Sequence, residues 1–292
     1  MKLSGAYTAL VTPFRGDAVD DEALEHLVKE QIEGGIAGLV PVGTTGESPT
    51  LTLEEHIRVI AKTVEFAAGR VTVLAGTGSN STVEAIELTQ AAEKAGADGA
   101  LLVTPYYNKP SQAGLYAHFS AIARSTRLPL VLYSIPGRCG VEIAVETVLA
   151  LSQAHKTIIG LKEAGGSVDR LSQLRQVLPE DFALLSGDDS LTLPFLSVGA
   201  VGVISVASNL LPKAVVGLVH AFLSGNLQEA ERLHRRLYPL FRDLFVETNP
   251  VPIKTALSLQ GWMAPDVRLP LVPLQPSNRA RLEKTLSLVG ME

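Results

Sequence analysis

The chain has 292 residues, 46% of them hydrophobic and 19% charged, so it can bury a sizeable core and does not have the composition of a disordered segment. A net charge of −5, with no cluster of lysine and arginine, argues against nucleic acid as a partner. The single cysteine, Cys139, excludes an intramolecular disulfide and fits a reducing cytoplasm.

At the N-terminus the apolar run is interrupted by Thr8 and stops at Pro13, too short for a signal peptide. From there a pattern repeats: a short apolar strand, a loop, then a stretch with helical period. The predicted strands are Ala6–Val11, Gly38–Val42, Val71–Ala75, Ala100–Val103, Leu130–Tyr133, Ile158–Lys162, Ala183–Leu185 and Val201–Ser205. The helices between and after them are Asp20–Glu33, Leu53–Ala67, Thr82–Ala95, Ala113–Arg124, Val145–Ser152, Leu171–Leu178, Leu191–Val198 and Lys213–Leu223. Thr52 with Glu55, and Ser81 with Glu84, have the spacing of capping boxes. The apolar stretch Leu191–Leu211 carries Pro194, serines and Asn209, so it reads as a buried helix and strand rather than a membrane span. Eight β–α units in a row predict an α/β fold, a (β/α)8 TIM barrel over residues 1–225. After Ser224-Gly225-Asn226 the strands stop. Leu227–Phe245, Pro252–Gln260 and Asn278–Val289 read as a C-terminal helical appendage, residues 226–292, packed on the barrel or on another subunit.

In such a barrel the active face lies at the C-terminal ends of the strands. Those ends carry Gly43-Thr44-Thr45-Gly46-Glu47-Ser48, Gly76-Thr77-Gly78-Ser79-Asn80-Ser81, Thr104-Pro105-Tyr106-Tyr107-Asn108, Tyr133 through Pro136-Gly137-Arg138, Lys162, Gly187-Asp188-Asp189 and Ile204-Ser205. Three of the six tyrosines fall there. Lys162 closes an apolar strand, where burial lowers an ammonium pKa and leaves a neutral amine able to form Schiff bases. Taken alone, that stretch reads more simply as a lysine snorkelling out to pair with Glu163 or an acidic loop. The Thr and Tyr hydroxyls converging on the same mouth favour chemistry, because a chain of buried hydroxyls can carry protons. Thr44 and Asn80 singly are turn residues. Neither a dinucleotide fingerprint nor a phosphate loop is present, and none of the six histidines has metal-ligand spacing, so neither cofactor nor metal is expected.

Gly43-Thr44-Thr45-Gly46-Glu47, Tyr106-Tyr107, Tyr133-Ser134-Ile135-Pro136-Gly137-Arg138 and Gly160-Leu161-Lys162-Glu163 together resemble the dihydrodipicolinate synthase family, part of the N-acetylneuraminate lyase superfamily of Schiff-base aldolases. The resemblance runs through nearly the whole chain. It implies a barrel with a C-terminal helical region, assembled as a tetramer that is a dimer of dimers. It also implies that Lys162 condenses with pyruvate while Tyr133 passes protons. Thr45 joins that relay and touches the pyruvate carboxylate, with Thr44 beside it. Tyr107 is a relay tyrosine lent by the neighbouring subunit, Arg138 holds the carboxylate of aspartate semialdehyde, and Gly187 and Ile204 line the pyruvate pocket.

Lysine-sensitive members of the family bind L-lysine at positions matching Ser48, His56, Asn80, Glu84 and Tyr106, and all five residues are of the right type. Leu53 replaces a frequent histidine there, which implies weaker affinity, and Pro49 replaces a common alanine. Cys139 after Arg138, and Glu163-Ala164-Gly165-Gly166, also depart from the usual pattern and are expected to alter only loop stiffness. A sugar-acid aldolase of the same superfamily would share Lys162, Tyr133 and Thr45. A silent binding barrel would not need them.

Overall fold

The computed structural model describes residues 1–290. All eight strands form, as β1 Gly5–Ala9, β2 Gly38–Val40, β3 Thr72–Gly76, β4 Gly99–Val103, β5 Leu130–Ser134, β6 Ile158–Glu163, β7 Ala183–Ser186 and β8 Gly202–Ser205. Each pairs in parallel with its neighbours in sequence, and β1 pairs with β8 to close the barrel. The helices are α1 Asp21–Glu33, α2 Leu53–Ala67, α3 Thr82–Lys94, α4 Gln112–Ser125, α5 Val145–Ala154, α6 Val168–Val177, α7 Thr192–Ser197 and α8 Pro212–Leu223.

Alternation along the strands makes two apolar layers. Leu74, Leu101, Val131, Leu185 and Ile204 fill the barrel interior. Val73, Ala100, Leu102, Leu130, Leu161, Leu184 and Val203 face the helices. Each strand is buried on both faces, which is why the sequence shows continuous apolar runs rather than a clean period of two.

Most differences from the predicted boundaries have local causes. β2 stops at Val40 because Pro41 has no N–H for the ladder and Val42 turns to φ 49°. Thr52 and Glu55 close a full capping box at α2. At α3 only half of the predicted box exists. Ser81 accepts from the Glu84 amide, but the Glu84 carboxylate takes the Ser79 hydroxyl at 2.5 Å instead of returning to Ser81. A short hairpin, Phe14–Arg15 with Ala18–Val19, and a one-turn helix, Pro136–Cys139, were not predicted. Two-residue strands are too short to show a period.

Beyond the barrel lie α9 Leu227–Asp243, α10 Val251–Leu259 and α11 Pro276–Val289. Their apolar faces, including Leu240, Phe241, Ile253, Leu257 and Leu286, join the same core as the barrel helices. The buried Asp243 carboxylate accepts from Arg281 Nε at 3.0 Å and from Thr285 Oγ1 at 2.7 Å, tying α9 to α11. Among the described residues no helix is long and apolar enough to cross a membrane.

Candidate active site

Lys162 points into the barrel from β6, between Leu161 and Glu163, which both face outward. The simple alternative of a Lys162–Glu163 pair is not realised. Glu163 turns away, accepting from Arg170 Nε at 3.0 Å and from the Gly165 amide at 2.6 Å. Lys162 is 6% exposed, and its Nζ lies 4.2 Å from the ring centroid of Tyr133, its register partner on β5. Burial lowers its pKa to about 8; the Asp189 charge opposes that shift and the Arg138 charge adds to it. At pH 7 such an amine is roughly one-tenth neutral, against well under a thousandth for an ordinary lysine.

Gly187 leaves room for the lysine stem. A Cβ there would stand 3.0 Å from Lys162 Cε and 2.7 Å from Ala164 Cβ. Ile204, fully buried in the barrel interior, belongs to the apolar floor. Tyr133 is buried, and burial pushes its phenol up to about 12, against the opposing effects of a Thr44 hydrogen bond and the Arg138 charge. It therefore holds its proton at neutral pH and can donate it.

The threonines sit in a strained loop. Val42 and Glu47 both have positive φ, 49° and 54°, and a β-branched residue there is unusual. Gly46 permits the fold-back, since a Cβ on it would lie 2.8 Å from the Val42 amide nitrogen. The loop is fastened from the C-terminal region. Glu47 Oε1 accepts from Lys254 Nζ at 2.5 Å, and its Oε2 accepts from the Arg268 amide at 3.0 Å. Thr45 Oγ1 accepts from Asn249 Nδ2 at 3.0 Å.

A cavity of about 220 Å³ opens at the mouth, lined by Thr44, Val103, Tyr106, Tyr133, Arg138 and Cys139 among others. Lys162 does not line it, but its Nζ sits against the Tyr133 ring, which does. Arg138, exposed on the one-turn helix, donates from Nη2 to the Asn249 carbonyl at 3.3 Å. Cys139, expected to alter loop stiffness, also lines this cavity. Burial pushes its thiol up to about 11, so it is neutral. Tyr107 is not brought into this group: it is 90% exposed, at φ 72°.

A second cavity, of about 170 Å³, is lined by Ser48, His56, Glu84 and Tyr106, together with Leu53 and Ser79. Asn80 stands behind it, donating to the Tyr106 carbonyl at 3.1 Å. His56 is buried, which lowers its pKa, and its Nε2 lies 2.8 Å from the Gly76 carbonyl. Nε2 must then carry the proton, leaving Nδ1 as an acceptor. Ser48, Pro49, Gly78 and Tyr106 line both cavities and form a shared wall.

Sequence reasoning missed Asn249 and Lys254, and did not anticipate the burial of Asp189. Lys254 left a signal, as the lone charge in the apolar helix α10. Asn249 left none.

The family model described as "Dihydrodipicolinate synthetase family" matches residues 2–289. A 4-hydroxy-tetrahydrodipicolinate synthase of Oleidesulfovibrio alaskensis is 52% identical over 291 residues, covering 100% of both chains. The solved structure of a 4-hydroxy-tetrahydrodipicolinate synthase from Methylacidiphilum fumariolicum SolV has a TM-score of 0.98 and 61% identity, covering 99% of this chain and 96% of that one. A dihydrodipicolinate synthase from Cyanidioschyzon merolae, solved with lysine bound, has a TM-score of 0.97 at 44% identity, with 99% of each chain covered.

Proposed function

The chain belongs to the dihydrodipicolinate synthetase family, and from that membership we infer that it condenses pyruvate with L-aspartate 4-semialdehyde to 4-hydroxy-tetrahydrodipicolinate, in lysine biosynthesis. The observation that carries this reading is the inward-facing Lys162 amine, unpaired among the described residues, with its pKa near 8, against the Tyr133 ring.

Neutral Lys162 attacks the pyruvate ketone and, after loss of water, leaves an imine. Tyr133, still protonated, supplies and recovers the protons of that step, with Thr44 and Thr45 completing the relay. The imine draws electrons from the methyl group, which loses a proton to give the enamine. The enamine carbon then attacks the semialdehyde aldehyde. Finally the amino group of the second substrate displaces Lys162, closing the ring and restoring the free amine. Arg138 is the cation at the mouth suited to grip the second carboxylate through paired hydrogen bonds. Gly187 and Ile204 shape the pyruvate pocket.

The barrel, residues 1–225, carries this chemistry, and the appendage, residues 226–292, braces it. The 90% exposure of Tyr107 supports its delivery to a neighbouring subunit, within a dimer that pairs into a homotetramer. The second cavity is read as an L-lysine site. Glu84 offers a carboxylate to one ammonium; His56 Nδ1 and the Ser48 hydroxyl are acceptors for the other. The wall shared at Tyr106 offers a route for coupling, which requires lysine to bind the active and inactive arrangements with different affinity. A biosynthetic role fits a cytoplasmic location.

Turnover tests the function. Pyruvate with aspartate semialdehyde should be consumed far faster than sialic acid or keto-deoxy-sugar acids are cleaved. The reverse order would make the chain a sugar-acid aldolase, and trapping of pyruvate without any turnover would make it a binding barrel.

A further inference from the structure

Thr45 is held by a residue from the other end of the chain. Asn249, in the connection between α9 and α10, is 5% exposed, and Thr45 is 3% exposed. The Asn249 Nδ2–H donates to Thr45 Oγ1 at 3.0 Å across 204 positions of sequence. A hydroxyl has one proton to give and two lone pairs to accept with, whereas an amide N–H can only donate. This bond therefore occupies a lone pair of Thr45 and leaves its proton free. Among the described residues nothing accepts that proton, although the hydroxyl is buried. Two positions further on, the buried Glu47–Lys254 pair fixes the loop backbone, so the place of the hydroxyl is set from the C-terminal region.

We propose that Asn249 is a positioning residue that fixes Thr45 as a donor toward the pyruvate carboxylate. A carboxylate can only accept, so a Thr45 turned the other way would present lone pairs to negative charge. The proposal rests on the reading of Thr45 given above. It also explains a separation of roles within Asn249. The side chain serves the pyruvate side, while the main-chain carbonyl holds Arg138, on the side of the second substrate, at 3.3 Å.

A double-mutant cycle with Thr45→Val tests this. Asn249→Asp keeps the shape but replaces the donor with acceptors, which would draw the Thr45 proton inward. It should lower kcat/KM for pyruvate by about 10- to 100-fold, the range expected for reversing a buried hydrogen bond beside a charge. The loss should appear as a raised pyruvate KM, with the KM for aspartate semialdehyde within about 2-fold, because the backbone carbonyl is unchanged. In the Thr45→Val background the same substitution should cost no more than about 2-fold, since its target is gone. Asn249→Ala, which adds no charge, provides the same cycle should the aspartate variant not fold.

Losses that multiply across the cycle would overturn the assignment to Asn249 and leave Thr45 in place, including the case in which the added charge simply repels pyruvate. If Thr45→Val alone leaves kcat/KM for pyruvate intact, the reading of Thr45 fails, and the role of Asn249 fails with it.

Discussion

Lys254→Met removes the buried ammonium that pairs with Glu47. Lys254 is fully buried in α10, with its Nζ 2.5 Å from Glu47 Oε1 and 4.1 Å from the centroid of the Phe14 ring. Methionine keeps most of the stem and leaves the Glu47 carboxylate enclosed, with the Arg268 amide on its other oxygen. Breaking a buried pair from one side costs about 3–5 kcal/mol, because the remaining charge has lost both water and partner. A chain of 292 residues unfolds with an entropy near 0.6 kcal/mol per degree at about 2.1 cal/mol/K per residue, so Tm should fall by about 5–8 °C. Glu47→Gln combined with Lys254→Met should recover most of that, since a neutral pair leaves no orphaned charge. Scanning calorimetry of the parent, the single variant and the double variant measures both effects. A Lys254→Met protein melting within about 1 °C of the parent would refute the claim that this pair anchors the loop. So would a double variant less stable than the single one.

The Asp189 carboxylate is buried, accepts from the Val206 and Ala207 amides at 2.9 and 3.0 Å, and is pushed up to about 6 by burial. Its charge raises the Lys162 pKa, and imine formation needs the neutral amine, so its rate climbs as pH rises through that pKa, about 8. Asn at position 189 should therefore move this rise to lower pH; a profile of kcat/KM for pyruvate that stays in place contradicts the coupling. Tyr107→Phe and Lys162→Ala should each be inactive alone but complement when mixed subunits assemble, because one site then has both groups; no recovered activity would mean that Tyr107 is not shared. L-Lysine should bind and slow turnover in the millimolar range or below, as read by calorimetry and rate, and Leu53→His should tighten it. Millimolar lysine without heat or inhibition would leave the second cavity without that role.

The barrel was legible because each strand is an apolar run cut off by glycine or a turn, and because eight such runs alternate with helical periods. Lys162 stood out for the same reason, as the only charge in the strand segment Thr157–Lys162. What was hidden depended on contacts between distant segments or on competition between near neighbours. Nothing near Asn249 indicates that it reaches Thr45, and the capping-box spacing does not show that Ser79, five residues before Glu84, takes the Glu84 carboxylate. The predicted strand ended at Lys162, one residue short of Glu163, and the partner of Glu163, Arg170, lies on α6, which the sequence pattern began three residues later, at Leu171. The exposure of Tyr107, beside a Tyr106 that lines both cavities, fits the opposite facing of adjacent side chains at a strand end.

The most direct test of the account is reductive trapping. Borohydride added with pyruvate should leave an irreversible three-carbon adduct, and peptide mapping should place it on Lys162, with formation increasing with pH through about 8. An adduct on another lysine, or none under conditions in which the enzyme turns over, would contradict the Schiff-base mechanism.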